Sequence, residues 1–182
     1  MSPITKISFS NAGDRLVTGS DKDGAARVWA FNSKWERNEH FVINLSHEGG
    51  DKDTPKKKGK GRQRNATKQA RSGLLNVCWS CNDAYIFTLQ TVPVAQERKG
   101  PTNPDTYLPK AKGTRLKVWD SFTGELLQAI HISQCECHIL VPHPHLPAVV
   151  VTGGWDGIIC MWDTESREKY FQFRCVFREC MK

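Results

Sequence analysis

Two cysteine groups have spacings that could hold zinc, Cys78-x-x-Cys81 and Cys135-x-Cys137-His138. Thiolates and an imidazole nitrogen at such intervals are the ligands of tetrahedral zinc sites. A third group is basic: KKKGKGRQR supplies Lys56, Lys57, Lys58, Lys60, Arg62 and Arg64. Lysines in extended chain suit the acidic groove of an import receptor or contact with a phosphate backbone. No aromatic residue lies between Lys52 and Arg71, so base stacking is not expected there. His143 and His145 stand in VPHPHLPAVV and read as a proline-rigidified turn rather than as a base with its orienting partner. The chain holds no nucleophile paired with a base, no phosphate-cradling glycine loop and no HExxH. The expectation is a protein without catalytic residues, cofactor, metal or small-molecule substrate.

The elements that must position these residues repeat. Three segments align on their tryptophans: FSNAGDRLVTGSDKDGAARVWAF ending around Trp29, WSCNDAYIFTLQ with GTRLKVWDSF around Trp119, and VPHPHLPAVVVTGGWDGIICMWDTE around Trp162. Each has two β-rich runs separated by a small polar turn, then a second turn and a strand closing on Trp. Trp119 and Trp162 are 43 residues apart, within the 40-to-45-residue period of a WD repeat, one four-stranded propeller blade per repeat.

Period-2 alternation puts Ile7 with Phe9, Leu75 with Val77 and Trp79, and Cys137 with Ile139 and Val141 on common faces of the inner strands. Second strands are expected at Arg15–Thr18, Tyr85–Thr91 and Val149–Thr152. Third strands are expected at Ala26–Trp29, Arg115–Trp119 and Ile158–Trp162, and outer strands at Phe41–Leu45, Leu126–His131 and Lys169–Phe173.

The fold class expected is therefore all-β: a partial WD-repeat propeller of about three four-stranded blades, at 1–45, 73–131 and 135–174, not closed. Closed propellers take four to eight blades, so the segment reads as a piece of a longer propeller. In this frame Cys78 and Cys81 sit at the exit end of one inner strand, and Cys135, Cys137 and His138 at the entry of the next. One tetrahedral ion could not reach both, and buried thiols are the favoured reading. Seven cysteines at irregular spacing, with no export signal, point to reduced thiols.

Asp23 and Asp156 each lie six residues before their Trp in a DG turn. In WD repeats such an aspartate joins a hydrogen-bond chain through a Ser or Thr of the second strand to the Trp indole, and Thr18 and Thr152 match that position. Thr18, Asp23, Trp29, Trp119, Thr152, Asp156 and Trp162 are thus expected to be structural, since a buried indole N–H needs an acceptor. Blade two departs: Gly113 replaces the aspartate. Ile132-Ser133 replaces the Gly-His that usually precedes the next inner strand, with His131 out of register.

Two insertions interrupt the repeats. Residues 46–72 form a basic one, expected to be disordered, and residues 93–113 a Gly/Pro-rich loop. The net charge of +7 is local: residues 51–72 carry nine Lys or Arg against two Asp, and the remainder balances. Strands alternate direction, so both insertions leave the same end of the blades. No apolar run approaches 18 residues, and no membrane partner is expected.

ITKISFSNAGDRLVTGSDKDGAARVWAF, TRLKVWDSFTGELLQAI and ILVPHPHLPAVVVTGGWDGIICMWD resemble the WD-repeat region of the bromodomain- and WD-repeat-containing family. The resemblance implies a nuclear, chromatin-associated protein involved in transcription by RNA polymerase II, with acetyl-lysine-reading bromodomains outside this segment. For some members it implies cell-shape and cytoskeletal control, or substrate reception for cullin-RING ubiquitin ligases. Ligase-receptor propellers often carry Arg two positions after the WD aspartate; here Phe122 and Glu165 stand there. The function expected is a non-enzymatic scaffold with chromatin or ubiquitin-ligase partners, located in the nucleus. The alternatives are a weak nucleic-acid contact through residues 52–71, and a cytoplasmic scaffold.

Overall fold

A computed structural model describes residues 3–21, 24–32, 34, 36–45, 73–93, 112–133 and 135–174. Among the described residues twelve strands form three antiparallel sheets, each in plain meander order. The first contains β1 (Lys6–Phe9), β2 (Arg15–Gly19), β3 (Ala26–Phe31) and β4 (Arg37–Leu45). The second contains β5 (Leu74–Trp79), β6 (Tyr85–Pro93), β7 (Lys112–Asp120) and β8 (Leu126–Ser133). The third contains β9 (Cys137–Pro142), β10 (Val149–Gly154), β11 (Ile158–Asp163) and β12 (Glu168–Arg174). The sheets do not close into a ring, and the architecture is a partial propeller.

Each sheet buries its faces against the next blade rather than within itself. Val17, Ala26, Val28 and Leu45 of blade one meet Leu74, Val77, Trp79, Ile86 and Trp119 of blade two. The opposite face of blade two, with Cys78, Phe87, Leu89, Leu116, Val118 and Ile130, meets Cys137, Leu140, Val150, Cys160 and Trp162 of blade three. The outer strand β12 is exposed along its whole length.

Two inner strands break the expected alternation, for one reason. Leu75 is an extra residue between the pairs Leu74↔Gln90 and Asn76↔Leu89. It therefore turns toward blade three while Val77 and Trp79 turn toward blade one. His138 is likewise extra between Cys137↔Gly154 and Ile139↔Gly153. Cys137 faces blade two, whereas Ile139 and Val141 are 58% and 50% exposed on the outward face. A β-bulge adds one residue to one strand and so reverses side-chain parity beyond it.

Several strands outrun their expected ends. β4 begins at Arg37, and β6 and β7 stay paired out to Pro93↔Lys112, so Pro93, Lys112 and Gly113 are strand residues rather than insertion. Gly113 pairs with Val92, where the other blades turn. β8 reaches Ser133, and Ile132 packs beside the second core.

Tight turns join the strands. Gly13 adopts φ +76° in the β1–β2 turn. Asp83 adopts φ 59° in the corresponding β5–β6 turn, a left-handed conformation that costs an L-residue free energy unless its side chain is used.

Candidate interaction surface

Each tryptophan that closes a third strand has the same partner. Trp29 Nε1 donates to Thr18 Oγ1 at 3.0 Å, Trp119 Nε1 to Thr88 Oγ1 at 2.9 Å, and Trp162 Nε1 to Thr152 Oγ1 at 3.0 Å. The register explains the repetition. Trp lies opposite Leu16, Ile86 or Val150, and the threonine is two residues further along that second strand, on the same face. Asp156 holds its own turn, where Oδ1 accepts the Ile158 N–H at 3.0 Å and Gly157 adopts φ 71°. Asp23 lies outside the described residues, as does the whole basic set Lys56, Lys57, Lys58, Lys60, Arg62 and Arg64.

The described cysteines belong to blades two and three. Cys78, Cys137 and Cys160 are buried in the core between blades two and three, Cys81 is half-buried and Cys135 exposed. Burial pushes the Cys78 thiol up to about 12, and burial also raises Cys137 and Cys160. High thiol pKa values oppose both nucleophilic and metal-binding use. Among the described residues no group of three or more His, Cys, Asp or Glu could hold a metal ion. His143 Nδ1 accepts the backbone N–H groups of His145 and Leu146, which ties that imidazole into its own turn.

At the end of the blades where β1 turns into β2, blades one and two are joined by a polar contact. Asp83 accepts from Asn11 N at 2.7 Å, Asn11 Nδ2 at 2.8 Å and Ala12 N at 2.9 Å. The buried Arg15 guanidinium lies 4.8 Å from the Trp79 ring centre and 4.4 Å from that of Phe122. It donates to the Ser121 carbonyl and hydroxyl and to the Asp83 carbonyl. The neighbouring β7–β8 turn is held by Asp120, whose carboxyl the Thr123 backbone N–H keeps below its ordinary range.

The opposite end carries both insertion junctions. β4 ends there at Leu45, β5 begins at Leu74, and β6 and β7 end and begin at Pro93 and Lys112. Blade three contributes the β10–β11 turn, where Trp155 is 80% exposed. Its backbone N–H donates to the Glu136 carbonyl at 3.2 Å. His138, on the β9 bulge, meets the Trp155 ring at 5.3 Å between centres and 72° between planes. Blades two and three are bridged at this end: Thr114 Oγ1 donates to the Cys135 carbonyl and accepts the Cys137 N–H, and Asn76 Nδ2 donates to the His138 carbonyl.

Neither the Arg15–Asp83 contact nor the Trp155 cluster was expected from sequence. In the sequence Arg15 reads only as the first residue of a strand and Asp83 only as part of a small polar turn, because what pairs across a blade boundary depends on register between sheets. Thr88 did carry a signal. It is the fourth residue of YIFT as Thr18 is of RLVT and Thr152 of VVVT, but the insertion separates it from Trp119 by 31 residues.

Comparison with known proteins agrees with this geometry. The family described as WD domain, G-beta repeat matches residues 1–30 and 130–163. A bromodomain and WD repeat-containing protein of Dictyostelium discoideum is 22% identical over 169 residues, which are 91% of this chain and 6% of that protein. The Denticleless protein homolog of Danio rerio is 32% identical over 99 residues, 54% of this chain and 14% of that protein. Human pre-mRNA-processing factor 17 is 39% identical over 49 residues, 27% of this chain and 8% of that protein. The chain thus spans only a small part of these relatives' length. Among solved structures, the C-terminal WD40 domain of Sif2 superposes with a TM-score of 0.56 at 12% identity, covering 97% of this chain and 38% of that one. A chain of the mitotic checkpoint complex gives 0.56 at 10% identity, covering 95% and 38%. Residues 1–30 and 130–163 thus match WD40 repeats, and the three sheets have the fold of a partial propeller.

Proposed function

We propose that this segment is a non-enzymatic interaction scaffold of a nuclear, chromatin-associated protein, and that its insertion-bearing end is the partner surface. One observation supports the choice of end above all. The junctions of both insertions and the exposed Trp155 turn share it. Loops on a rigid sheet frame can vary and bind without disturbing the core. The resemblance to bromodomain- and WD-repeat proteins favours the nuclear and transcriptional setting. The ligase-receptor alternative has less to rest on, because Phe122 and Glu165 occupy the positions where an adaptor-contacting Arg would stand.

The reading is tested by expressing the tagged chain in cells and recovering nuclear and chromatin fractions at rising salt. Recovery in chromatin that persists at high salt, and is lost when residues 46–72 are replaced by a neutral linker, is the expected outcome. A chain excluded from the nucleus would overturn the nuclear setting. Recovery that falls steeply with salt would indicate phosphate contact instead.

A further inference from the structure

Both internal blade boundaries join the same two kinds of sheet face. Residues paired across neighbouring strands share a face, so the register sorts each sheet into its two sides. The first kind carries the tryptophan that closes the third strand. Blade two presents it toward blade one as the row Trp79, Ile86 and Trp119. Blade three presents it toward blade two as Pro142, Val150 and Trp162. The second kind is the row one residue along, Val17, Val28 and Ile43 of blade one and Cys78, Phe87 and Val118 of blade two. Each boundary lays the second kind on the first.

The two outermost faces are one of each kind. Blade one turns outward the row Phe9, Leu16 and Trp29, which matches Pro142, Val150 and Trp162 in register. Ile7 lies beside that row, opposite Thr18 as Leu140 is opposite Thr152, and Ile7 and Phe9 are 64% and 57% exposed. Blade three turns outward the row Val141, Val151, Met161 and Phe171, which matches the Cys78 row of blade two. Exposed Ile139 and Phe173 flank it, and the Phe171 and Phe173 rings stack at 5.3 Å between centres. Contiguous exposed apolar surface marks an interaction site, and repeat stacks need polar outer faces to stay apart.

We infer that two copies of this chain pair head to tail, blade three of each on blade one of the other, closing a ring with three blades from each copy. A second copy is the occupant because it presents both complementary faces at once, each of the kind already used twice within the chain. A head-to-tail contact makes a ring where its rotation closes and a filament where it does not. Two chains of three sheets give six blades, within the four to eight of closed propellers, whereas three chains would exceed that range. The inference goes beyond the reading of the insertion-bearing end as a partner surface and does not depend on it. It concerns the faces of the sheets, not the ends of the strands.

The test is sedimentation equilibrium of the full chain over a wide range of concentration. A monomer–dimer equilibrium that stops at the dimer is the expected result. A chain that stays monomeric would overturn the pairing and leave these faces to blades outside this chain. Mass that grows without limit would overturn the closed ring. Two variants locate the contact, Ile7→Asp on blade one and Phe171→Asp on blade three. Each should weaken self-association about a hundredfold, because it places a carboxylate in an apolar contact, while Ile7→Val should leave it unchanged. Both positions are exposed in the single chain, so near-ultraviolet circular dichroism should stay as in the parent. Mixed together, the two Asp variants should form a heterodimer, since each keeps the face that the other lacks. A dimer that survives Ile7→Asp would mean that blade three pairs with blade three. Two Asp variants that stay monomeric when mixed would likewise overturn the head-to-tail contact.

Discussion

The two blade boundaries are built differently, and blade two is held by its neighbours at opposite ends. Between blades one and two the polar fastening lies at the β1–β2 turn end, where Asp83 receives three N–H donors and Arg15 is stacked between Trp79 and Phe122. Between blades two and three it lies at the insertion end, where Thr114 and Asn76 bridge to the segment around β9 with neutral hydrogen bonds. Among the described residues the first fastening uses charged side chains, whereas these bridges of the second are neutral. Hydrogen bonds to a charged group contribute roughly 1.5 to 3 kcal/mol and neutral ones about 1 kcal/mol. The second boundary must therefore depend more on its apolar core, which holds Phe87, Leu89, Leu116 and Trp162.

The largest effect is expected where that dependence is greatest. Trp162→Ala should cost about 3 to 5 kcal/mol, since it removes a buried aromatic and leaves a cavity. Hydrogen exchange should then accelerate across β9–β12 before it does so in blade one. Protection that falls equally in all three blades would show that the boundaries are not independent.

Asp83→Ala comes next, at roughly 2 to 3 kcal/mol, because three N–H donors lose a charged acceptor. Asp83→Asn should cost less, as it keeps an acceptor and tolerates the left-handed backbone. Combining Asp83→Asn with Thr114→Val tests the separation of the two fastenings. Sites that share no partner should add to within about 0.5 kcal/mol. A larger coupling in denaturant midpoints would mean that blade two transmits strain from one end to the other.

Thr88→Val addresses the pair within blade two and should cost about 1 to 3 kcal/mol by orphaning the Trp119 indole N–H. Much of this architecture is legible in the residues. The alternating runs and the WD spacing place all three blades, and RLVT and VVVT mark the acceptors of two indoles, while the insertion between Thr88 and Trp119 hides the third. What is not legible is whatever depends on the extra residue in a strand or on the register between sheets. Leu75 and His138 read as ordinary strand positions, yet each reverses the parity of its strand. Asp83 reads as a turn residue and becomes the acceptor for a turn 72 positions away in sequence. Trp155 reads as part of a DG turn, and only the bulged imidazole beside it distinguishes it as a surface.

Thiol chemistry gives a smaller effect with a defined direction. Cys78 lies in the core of the second boundary, and burial raises its pKa from 9.0 to about 12. Its folded value exceeds its unfolded one, so its contribution to stability is complete below about pH 9 and is lost as the pH rises toward 12. At pH 8 the exposed Cys135 should alkylate first and Cys78 only as fast as the protein opens. Rapid alkylation of Cys78 in the folded chain would mean that blades two and three separate readily.

The smallest effect should come from the most highly charged segment. Residues 46–72 connect β4 to β5 and so join blades one and two covalently at the end opposite the Arg15–Asp83 fastening. Between Asp51 and Ser72 there is no Val, Ile, Leu, Phe, Tyr or Trp, so burial cannot offset the entropy of ordering these residues. Replacing Lys56, Lys57, Lys58 and Lys60 by Ala should leave the denaturant midpoint unchanged, within about 0.5 kcal/mol as for surface substitutions generally. A drop of more than that would make the segment a third fastening and undo the contrast between the two boundaries. If the lysines instead serve recognition by an import receptor, residues 51–72 fused to an inert cytosolic reporter should carry it into the nucleus, and the four alanines should abolish the transfer. A reporter that stays cytosolic would leave the segment as a solvated connection, and the nuclear proposal would then rest on the WD-repeat resemblance alone.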